Sequence, residues 1–459
     1  MKRTKPCRFR VSACAAAALA LLAAAPVLAA DEPVSFAKQI HPLLNKYCVG
    51  CHSPAMAKSG LVLSNYAAIL KGGGKGPAVV AGKPDESVIV AYLTGKSTPR
   101  MPFGGQPLAA DQIALVTRWI AEGAKNDGGD ETTEIKIPDK PTVYHAPPVI
   151  TAMAWSPDGK LLAISGYHEI LLHDGEKLVA RLAGRSERIH AVAFSPDGAT
   201  LAAVGGNPAQ FGELQVWDVA SRKPLHSAIV TNDTLFGLSF SPDGTRVAFG
   251  ATDKSIRIYD VHSGKELRKM DHHEDWVFGT AFGMDGKRLV SVSRDRAAKL
   301  TDANTGAFIE NVNLLKEPLA AVVRYPKKDW VLIGGAERIP YLYRMDRPRA
   351  MRIADDSTLI RKYGQQDGPI LALAISPDGQ YIAVGSEVGP VRVYNTETGA
   401  VAGDCAGHQG GIYALAFKPN GSTLETAGFD GTVRSYDMTG KLVRAFVPVP
   451  IDKTLVSQK

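Results

Sequence analysis

Ser195-Pro196-Asp197-Gly198 is one of seven copies of a four-residue turn whose spacing decides the fold of most of the chain. The other six copies vary in sequence, and the fifth in chain order has lost most of the pattern. They are Ser156-Pro157-Asp158-Gly159, Ser241-Pro242-Asp243-Gly244, Gly283-Met284-Asp285-Gly286, Tyr325-Pro326-Lys327-Lys328, Ser376-Pro377-Asp378-Gly379 and Lys418-Pro419-Asn420-Gly421. Successive copies begin 39, 46, 42, 42, 51 and 42 residues apart. A repeat of this length indicates units that bury their faces by stacking on their neighbours.

Each turn joins two apolar segments with the composition of β-strands. Ala191-Val192-Ala193-Phe194 precedes the quoted turn, and Leu201-Ala202-Ala203-Val204 follows it. A third strand then ends in an aromatic residue followed by an acid or amide, as in Trp217-Asp218, Tyr259-Asp260, Tyr394-Asn395 and Tyr436-Asp437. This pattern resembles the WD-repeat proteins over residues 147 to about 450. The resemblance implies an all-β, seven-bladed propeller, in which radial repetition leaves only short sheet edges.

Three polar features of the repeats have structural explanations. His408, Thr426, Asp430 and Tyr436 stand where WD repeats form an internal hydrogen-bonded network, so we do not expect them to be catalytic. The cluster 272–275, His-His-Glu-Asp, is either a metal site or a solvated turn between blades, and we expect the solvated turn. Cys405 has no neighbouring arrangement that would activate a thiol, so we expect a small buried residue.

The first thirty residues have the anatomy of a secretory signal peptide. The basic side chains Lys2, Arg3, Lys5, Arg8 and Arg10 precede an apolar run at 13–28, and cleavage is expected after Ala29 or Ala30. A lipoprotein-type cleavage that leaves Cys14 as the N-terminus is the weaker alternative, because the apolar run follows this Cys. We therefore predict export, to a periplasm in a cell with two membranes, and no integral membrane segment in the mature chain.

Removing the signal peptide changes the charge of a chain of 459 residues. The whole sequence carries 53 basic and 46 acidic residues, a net charge of +7, but five of the basic residues leave with the signal. The remaining +2 gives little support to nucleic acid as a partner. Cys7 and Cys14 leave as well, so the mature chain has three Cys.

The motif that carries chemistry is Cys48-Val49-Gly50-Cys51-His52. Cys-x-x-Cys-His is the attachment signature of c-type haem, because two thiols on one turn can bond both vinyl groups while the adjacent His binds the iron. A redox-active dithiol would need a βαβ context, and a structural zinc site would need a second ligand pair that the lone Cys405 cannot supply. We therefore predict one covalently attached haem c, with Cys48, Cys51 and His52 as its binding residues.

Two apolar stripes at helical spacing flank this motif. Phe36, Ile40, Leu43, Leu44 and Tyr47 lead into Cys48. A second stripe opens near Pro107 and Asp111, stops at Gly123, and consists of Ile113, Val116, Trp119 and Ile120. Two such helices can cross and bury their apolar faces against each other.

Met101 is the predicted second axial ligand of the iron. It follows His52 by 49 residues, far enough for the chain to pass around a porphyrin, and Pro99 and Pro102 stiffen its backbone. Met56 is a weaker candidate because it lies only four residues from His52, and His41 is weaker because it lies in the preceding helix.

Residues 33 to about 125 resemble the planctomycete-type cytochrome c domain. The resemblance rests on Phe36, Ile40-His41-Pro42-Leu43, Cys48-Val49-Gly50-Cys51-His52, Ser59-Gly60-Leu61-Val62-Leu63, the glycine-rich 72–76, Gly82-Lys83-Pro84, Ser87 and Met101-Pro102. It implies that Cys48 and Cys51 bind haem covalently, that His52 is the proximal and Met101 the distal ligand, and that the domain transfers single electrons.

The predicted organisation is therefore multidomain, with a small all-α cytochrome c domain before the all-β propeller. A signal peptide at 1–30 precedes the cytochrome domain at 31–125, a linker at 126–146, the propeller at 147–450 and a tail at 451–459. Seven basic residues near the motif either steer an acidic redox partner or form an ordinary solvated surface: Lys46, Lys58, Lys71, Lys75, Lys83, Lys96 and Arg100.

The leading functional hypothesis is an exported one-electron carrier whose propeller docks a redox protein partner. One alternative is an oxidoreductase with an active site in the propeller channel, by analogy with nitrite reductases that join a haem c domain to a propeller holding haem d. Those propellers lack WD-type blades, which counts against it. The other alternative is a haem-bearing scaffold or sensor. The sequence leaves the oligomeric state and the direction of electron flow open.

Overall fold

The computed structural model describes residues 32–52, 57–64, 66–127, 143–314, 317–345 and 356–452. The predicted signal peptide and Met56 therefore lie outside the described residues, as does most of the predicted linker. The chain divides into two compact units, one within Met1–His52 and Lys58–Glu131 and the other within Ser53–Ala57 and Thr132–Lys459. None of the described helices is long and apolar enough to span a membrane.

The first unit is helical. A helical turn at Phe36–Ile40 runs into α1, and three further α-helices follow, with short 3₁₀ turns at Lys58–Gly60 and Pro84–Glu86. The helices are α1 (His41–Tyr47), α2 (Tyr66–Lys71), α3 (Val88–Thr94) and α4 (Ala110–Ala121). Both predicted helical stripes are confirmed, since they fall on Phe36–Tyr47 and on α4.

The core of this unit forms where the turn at Phe36–Ile40 meets α4, with Leu44 of α1 beside it. Phe36, Ile40, Leu44, Trp119 and Ile120 are buried, and the rings of Phe36 and Trp119 stack with centroids 5.4 Å apart. The amino end of the first turn is held by Ser35, whose hydroxyl accepts the Lys38 amide at 2.9 Å. Proline at position 42 is tolerated because the first helical residues need no intrahelical amide partner.

In its described residues, the second unit has 27 antiparallel strands. They are β1 (Met153–Trp155), β2 (Leu161–Ser165), β3 (Tyr167–Asp174), β4 (Lys177–Phe194), β5 (Thr200–Asn207), β6 (Phe211–Asp218), β7 (Pro224–Thr231), β8 (Leu235–Phe240), β9 (Arg246–Ala251), β10 (Ile256–Asp260), β11 (Glu266–Met270), β12 (Val277–Phe282), β13 (Arg288–Ser293), β14 (Ala298–Asp302), β15 (Phe308–Asn311), β16 (Leu319–Arg324), β17 (Trp330–Gly335), β18 (Tyr341–Arg344), β19 (Leu359–Lys362), β20 (Ile370–Ile375), β21 (Tyr381–Ser386), β22 (Val391–Asn395), β23 (Val401–Cys405), β24 (Ile412–Phe417), β25 (Leu424–Gly428), β26 (Val433–Tyr436) and β27 (Leu442–Phe446).

These strands make the seven predicted blades. Blades 3 to 7 are separate four-stranded sheets, β8–β11, β12–β15, β16–β19, β20–β23 and β24–β27. Blades 1 and 2 share one sheet, because β4 is a continuous strand that pairs with β3 in its first part and with β5 in its second. The degenerate turn at 325–328 joins β16 to β17, so its interpretation as a blade is confirmed.

The quoted turn shows why its residue types recur. The Ser195 hydroxyl donates to the Asp197 carboxylate at 2.5 Å, and the Gly198 amide donates to the Ser195 carbonyl at 2.8 Å. Gly198 has a φ of +74°, which favours glycine. The turn thus connects the first two strands of a blade at a fixed geometry.

Neighbouring blades pack face to face, and the ring closes on itself. A Cβ at Gly279 of blade 4 would lie only 2.9 Å from Val322 Cγ1 of blade 5, so this approach requires glycine. At the junction of blades 7 and 1, the Ile150 amide donates to the Gly428 carbonyl at 3.0 Å. Tyr144 is buried there and forms a parallel bridge with Ile451.

The seven innermost strands surround a central cavity of about 200 Å³. Its lining is mostly small and aliphatic, with His190 and Tyr413 as its titratable side chains. Burial, together with the charge of Arg188, lowers the pKa of His190 to about 4, so this imidazole is neutral at physiological pH.

His190 is expected to make the stability of the chain depend on pH. Its folded pKa lies below the unfolded value of 6.5, so the unfolded chain binds more protons between pH 6.5 and 4. We expect its contribution to the free energy of unfolding to be fully present above pH 6.5. This contribution is lost as the pH falls, by up to about 3 kcal/mol near pH 4. Urea unfolding of the wild type and of His190→Gln at pH 7 and pH 5 measures this, with exposed His145→Gln as the control. Equal pH dependence in the wild type and His190→Gln would contradict the assignment.

Candidate functional site

The Cys-x-x-Cys-His motif occupies one tight turn at the end of α1. The Cys48 amide donates to the Leu44 carbonyl at 2.8 Å and so closes the helix. The amides of Cys51 and His52 then both donate to the Cys48 carbonyl, at 3.1 and 3.0 Å. This turn brings the two thiols and the imidazole of the predicted site into one short stretch of backbone, as attachment to a single porphyrin requires.

The two cysteines of this turn differ in environment. Cys51 is exposed, whereas Cys48 is half-buried and packs against the apolar core of the helical unit. Burial, followed by interaction with Cys51, raises the pKa of Cys48 to about 11. A thiol of this kind is protonated at neutral pH, and a redox-active dithiol would instead need a lowered pKa. The environment of Cys48 thus argues against the dithiol alternative.

His52 is suited to bind a metal ion. Its Nδ1 is buried and has no hydrogen-bond partner among the residues that the structure describes. Its backbone carbonyl is engaged, because it accepts the Leu63 amide at 2.6 Å. An imidazole whose ring nitrogens are not engaged by other described side chains can serve as a metal ligand. The donor set of two thiols and this imidazole therefore fits a c-type haem.

Met101 lies in the irregular segment between α3 and α4. Its side chain is half-buried against the same core that Cys48 contacts. Its amide donates to the Tyr92 carbonyl at 3.1 Å, which fixes the backbone at the predicted ligand. The rival His41 is engaged elsewhere, since its Nε2 lies 3.1 Å from the Ser64 carbonyl and its ring stacks on Phe36.

The structure adds a contact beside the motif that the sequence analysis did not identify. The Gln112 side chain of α4 donates to the Tyr47 hydroxyl at 3.4 Å, and the Lys46 ammonium lies 5.1 Å from the centre of the Tyr47 ring. The hydrogen bond from Gln112, and then Lys46, lower the pKa of Tyr47. The helical spacing predicted Tyr47 only as a core residue, and nothing in the sequence indicated a partner for its hydroxyl group.

All seven basic residues singled out in the sequence are exposed. Lys83 pairs with Glu86 at 2.9 Å, and Lys96 lies 3.8 Å from Asp85. Phe103, two residues after Met101, is 75% exposed. The helical unit therefore offers exposed cations together with an exposed aromatic side chain.

The hydrogen-bonded network predicted in the last blade is present, with two differences in membership. Arg434 joins it, with Nη1 2.7 Å from His408 Nδ1 and from Asp430. His408 Nε2 lies 2.7 Å from the Thr426 hydroxyl, and Nδ1 lies 3.2 Å from both carboxylate oxygens of Asp430. Tyr436 is separate, because its hydroxyl donates to the Ala406 carbonyl. Burial lowers the pKa of His408, as expected for a structural imidazole.

The prediction of a solvated turn at 272–275 was wrong for His273. This side chain is buried, with Nδ1 2.8 Å from Asp295 and Nε2 2.7 Å from the Ser291 hydroxyl. It is a second copy of the network around His408. The spacing could have revealed it, since both His residues are followed after 18 residues by Ser or Thr and after 22 by Asp. The described residues contain no cluster of His, Cys, Asp and Glu that could hold a metal ion.

Cys405 is buried, as predicted. Burial, with smaller contributions from Asp404 and Asp437, raises its pKa to about 12. A thiol held protonated in this way is inert at neutral pH.

Comparison with known families agrees with both resemblances. The model of the planctomycete cytochrome C family matches residues 48–102. The model of the WD domain, G-beta repeat, matches residues 141–174, 223–260, 264–302, 357–387 and 400–437. The matches leave out most of blades 2 and 5, which the strand pairing described above supplies.

Similar proteins align with short parts of the chain. A protein named periodic tryptophan protein 2 homolog, from Dictyostelium discoideum, is 40% identical over 68 residues, 14% of this chain and 7% of that protein. An uncharacterized WD repeat-containing protein from Schizosaccharomyces pombe is 29% identical over 122 residues, 26% of this chain and 19% of that protein. Another, from Synechocystis, is 30% identical over 102 residues, 22% of this chain and 28% of that protein. The chain thus spans less than a third of each of these relatives.

Proposed function

We propose that this chain, which contains a planctomycete cytochrome C domain and WD40 repeats, is an exported electron carrier. When bound, a haem c supplies one-electron chemistry by alternating between ferric and ferrous iron. Cys48 and Cys51 would attach the group covalently, and His52 and Met101 would bind its iron. The observation that carries the proposal is the single turn that holds both thiols and the imidazole of His52.

Export is part of the proposal because residues 1–30 have the composition of a signal peptide, which would deliver the chain to the periplasm. A chain without its five signal cations is nearly neutral, so its partners are sought among redox proteins and not among nucleic acids.

The propeller is proposed to dock the redox partner. Tyr167, Val388 and Phe429 are exposed, and they lie where the second strand of blades 1, 6 and 7 passes into the third: Tyr167 begins β3, and the other two lie in turns. These blades are neighbours in the ring, so the three side chains lie on one rim. Exposed apolar side chains grouped on a polar surface are typical of protein-binding sites.

A pigment and metal count of the purified holoprotein tests the proposal. A pyridine haemochrome assay and iron analysis should give one haem c per chain. A second chromophore, or a second metal in stoichiometric amount, would overturn the carrier assignment in favour of an enzyme with a further redox centre. A chain that is exported normally without bound haem would contradict it as well.

A further inference from the structure

The segment that carries Met101 is tied to the carboxyl end of α3 by three hydrogen bonds. The Ser97 amide donates to the Ala91 carbonyl at 3.0 Å, and the Met101 amide donates to the Tyr92 carbonyl at 3.1 Å. The Arg100 Nε donates to the Leu93 carbonyl at 3.2 Å. The last carbonyls of a helix have no partners inside the helix. Here the segment that leads to Met101 supplies hydrogen-bond donors to the carbonyls at the end of α3.

Arg100 supplies the one side-chain donor of this set. Its stem lies over Gly95, where a Cβ would be in ordinary contact with Arg100 Cδ at 3.4 Å, and Gly95 has a φ of +78° at the end of α3. This positive φ favours glycine at the position that ends the helix. A cation that donates to the last carbonyls of a helix is favourably placed, because these carbonyls carry partial negative charge.

We propose that Arg100 is a positioning residue that holds the Met101 thioether at the iron. This inference rests on the proposed function, since it takes Met101 to be the distal ligand. A thioether is a weak ligand, so its occupancy depends on how well the backbone of its segment is fixed. Arg100 is adjacent to Met101 and fastens that backbone from outside the core. Losing its hydrogen bond therefore loosens the ligand without removing an apolar side chain of the core.

Imidazole titration of the ferric holoprotein tests this role, because added imidazole competes with Met101 for the iron. Arg100→Leu keeps an apolar stem and removes the donors. We expect it to bind imidazole three- to tenfold more tightly than the wild type, where tenfold corresponds to about 1.4 kcal/mol. The near-red sulfur-to-iron absorption band should be weaker in the same variant. Arg100→Lys keeps a charged donor and should lie between the two.

Arg118→Leu is the matched control, since it removes a half-exposed arginine of α4 that pairs with Glu122, the residue after that helix. Its imidazole affinity should equal that of the wild type, and haem content is measured for every variant. If the wild type shows the band and Arg100→Leu binds imidazole like the wild type, the positioning role is wrong and the proposed ligation stands. Equal effects of Arg100→Leu and Arg118→Leu would also overturn it. A wild-type holoprotein without the band would overturn the ligation by Met101 and this inference together.

Discussion

Replacing both Cys48 and Cys51 with Ser is expected to abolish covalent haem attachment. The two residues lie three positions apart in the turn that follows α1, and Ser cannot form the thioether. The chain should then lose all haem-linked absorbance when it is denatured and extracted with acidified solvent. Haem staining after denaturing electrophoresis, together with the intact mass, measures this directly.

The single replacements and one distant cysteine complete this experiment. Each single variant should keep at most one thioether, whereas Cys405→Ser should keep the full wild-type mass increment, because Cys405 is buried in the propeller. Covalent haem in the double variant would show that these thiols are not the attachment site.

Replacing Met101 with Ala is expected to remove the sulfur-to-iron band and to lower the reduction potential, by on the order of 0.1 V. The thioether favours the reduced iron, and the cavity left by Ala admits water or another ligand in its place. A spectroelectrochemical titration of the ferric and ferrous forms gives both quantities. Met284→Ala is the control, since Met284 is exposed on the propeller. An unchanged spectrum and potential in Met101→Ala would remove Met101 from the site.

The fold could be predicted from the sequence where the signal is local and repeated. The Ser-Pro-Asp-Gly turn fixes its own geometry through a side chain, a backbone amide and a glycine with positive φ, so each copy marks the same point in a blade. Even the degenerate copy at 325–328 was located by its period. The helical stripes were equally readable, because their residues meet in one core.

Contacts between residues far apart in the sequence were harder to predict. The pairing of Tyr144 with Ile451 joins the two ends of the propeller, and no local pattern indicates it. The donation from Arg100 to Leu93 depends on how the chain turns back over Gly95. The burial of His273 was hidden by three polar neighbours in sequence, and only its spacing to Ser291 and Asp295 distinguishes it. Charged clusters usually lie in solvent, and here the repeat overrides that tendency for one residue.

Redox titration of the purified, exported holoprotein tests the central claim most directly. The haem absorbance should follow a single, reversible one-electron Nernst curve with one haem per chain. A chain without bound haem would contradict the account, as would a titration that needs a second redox centre.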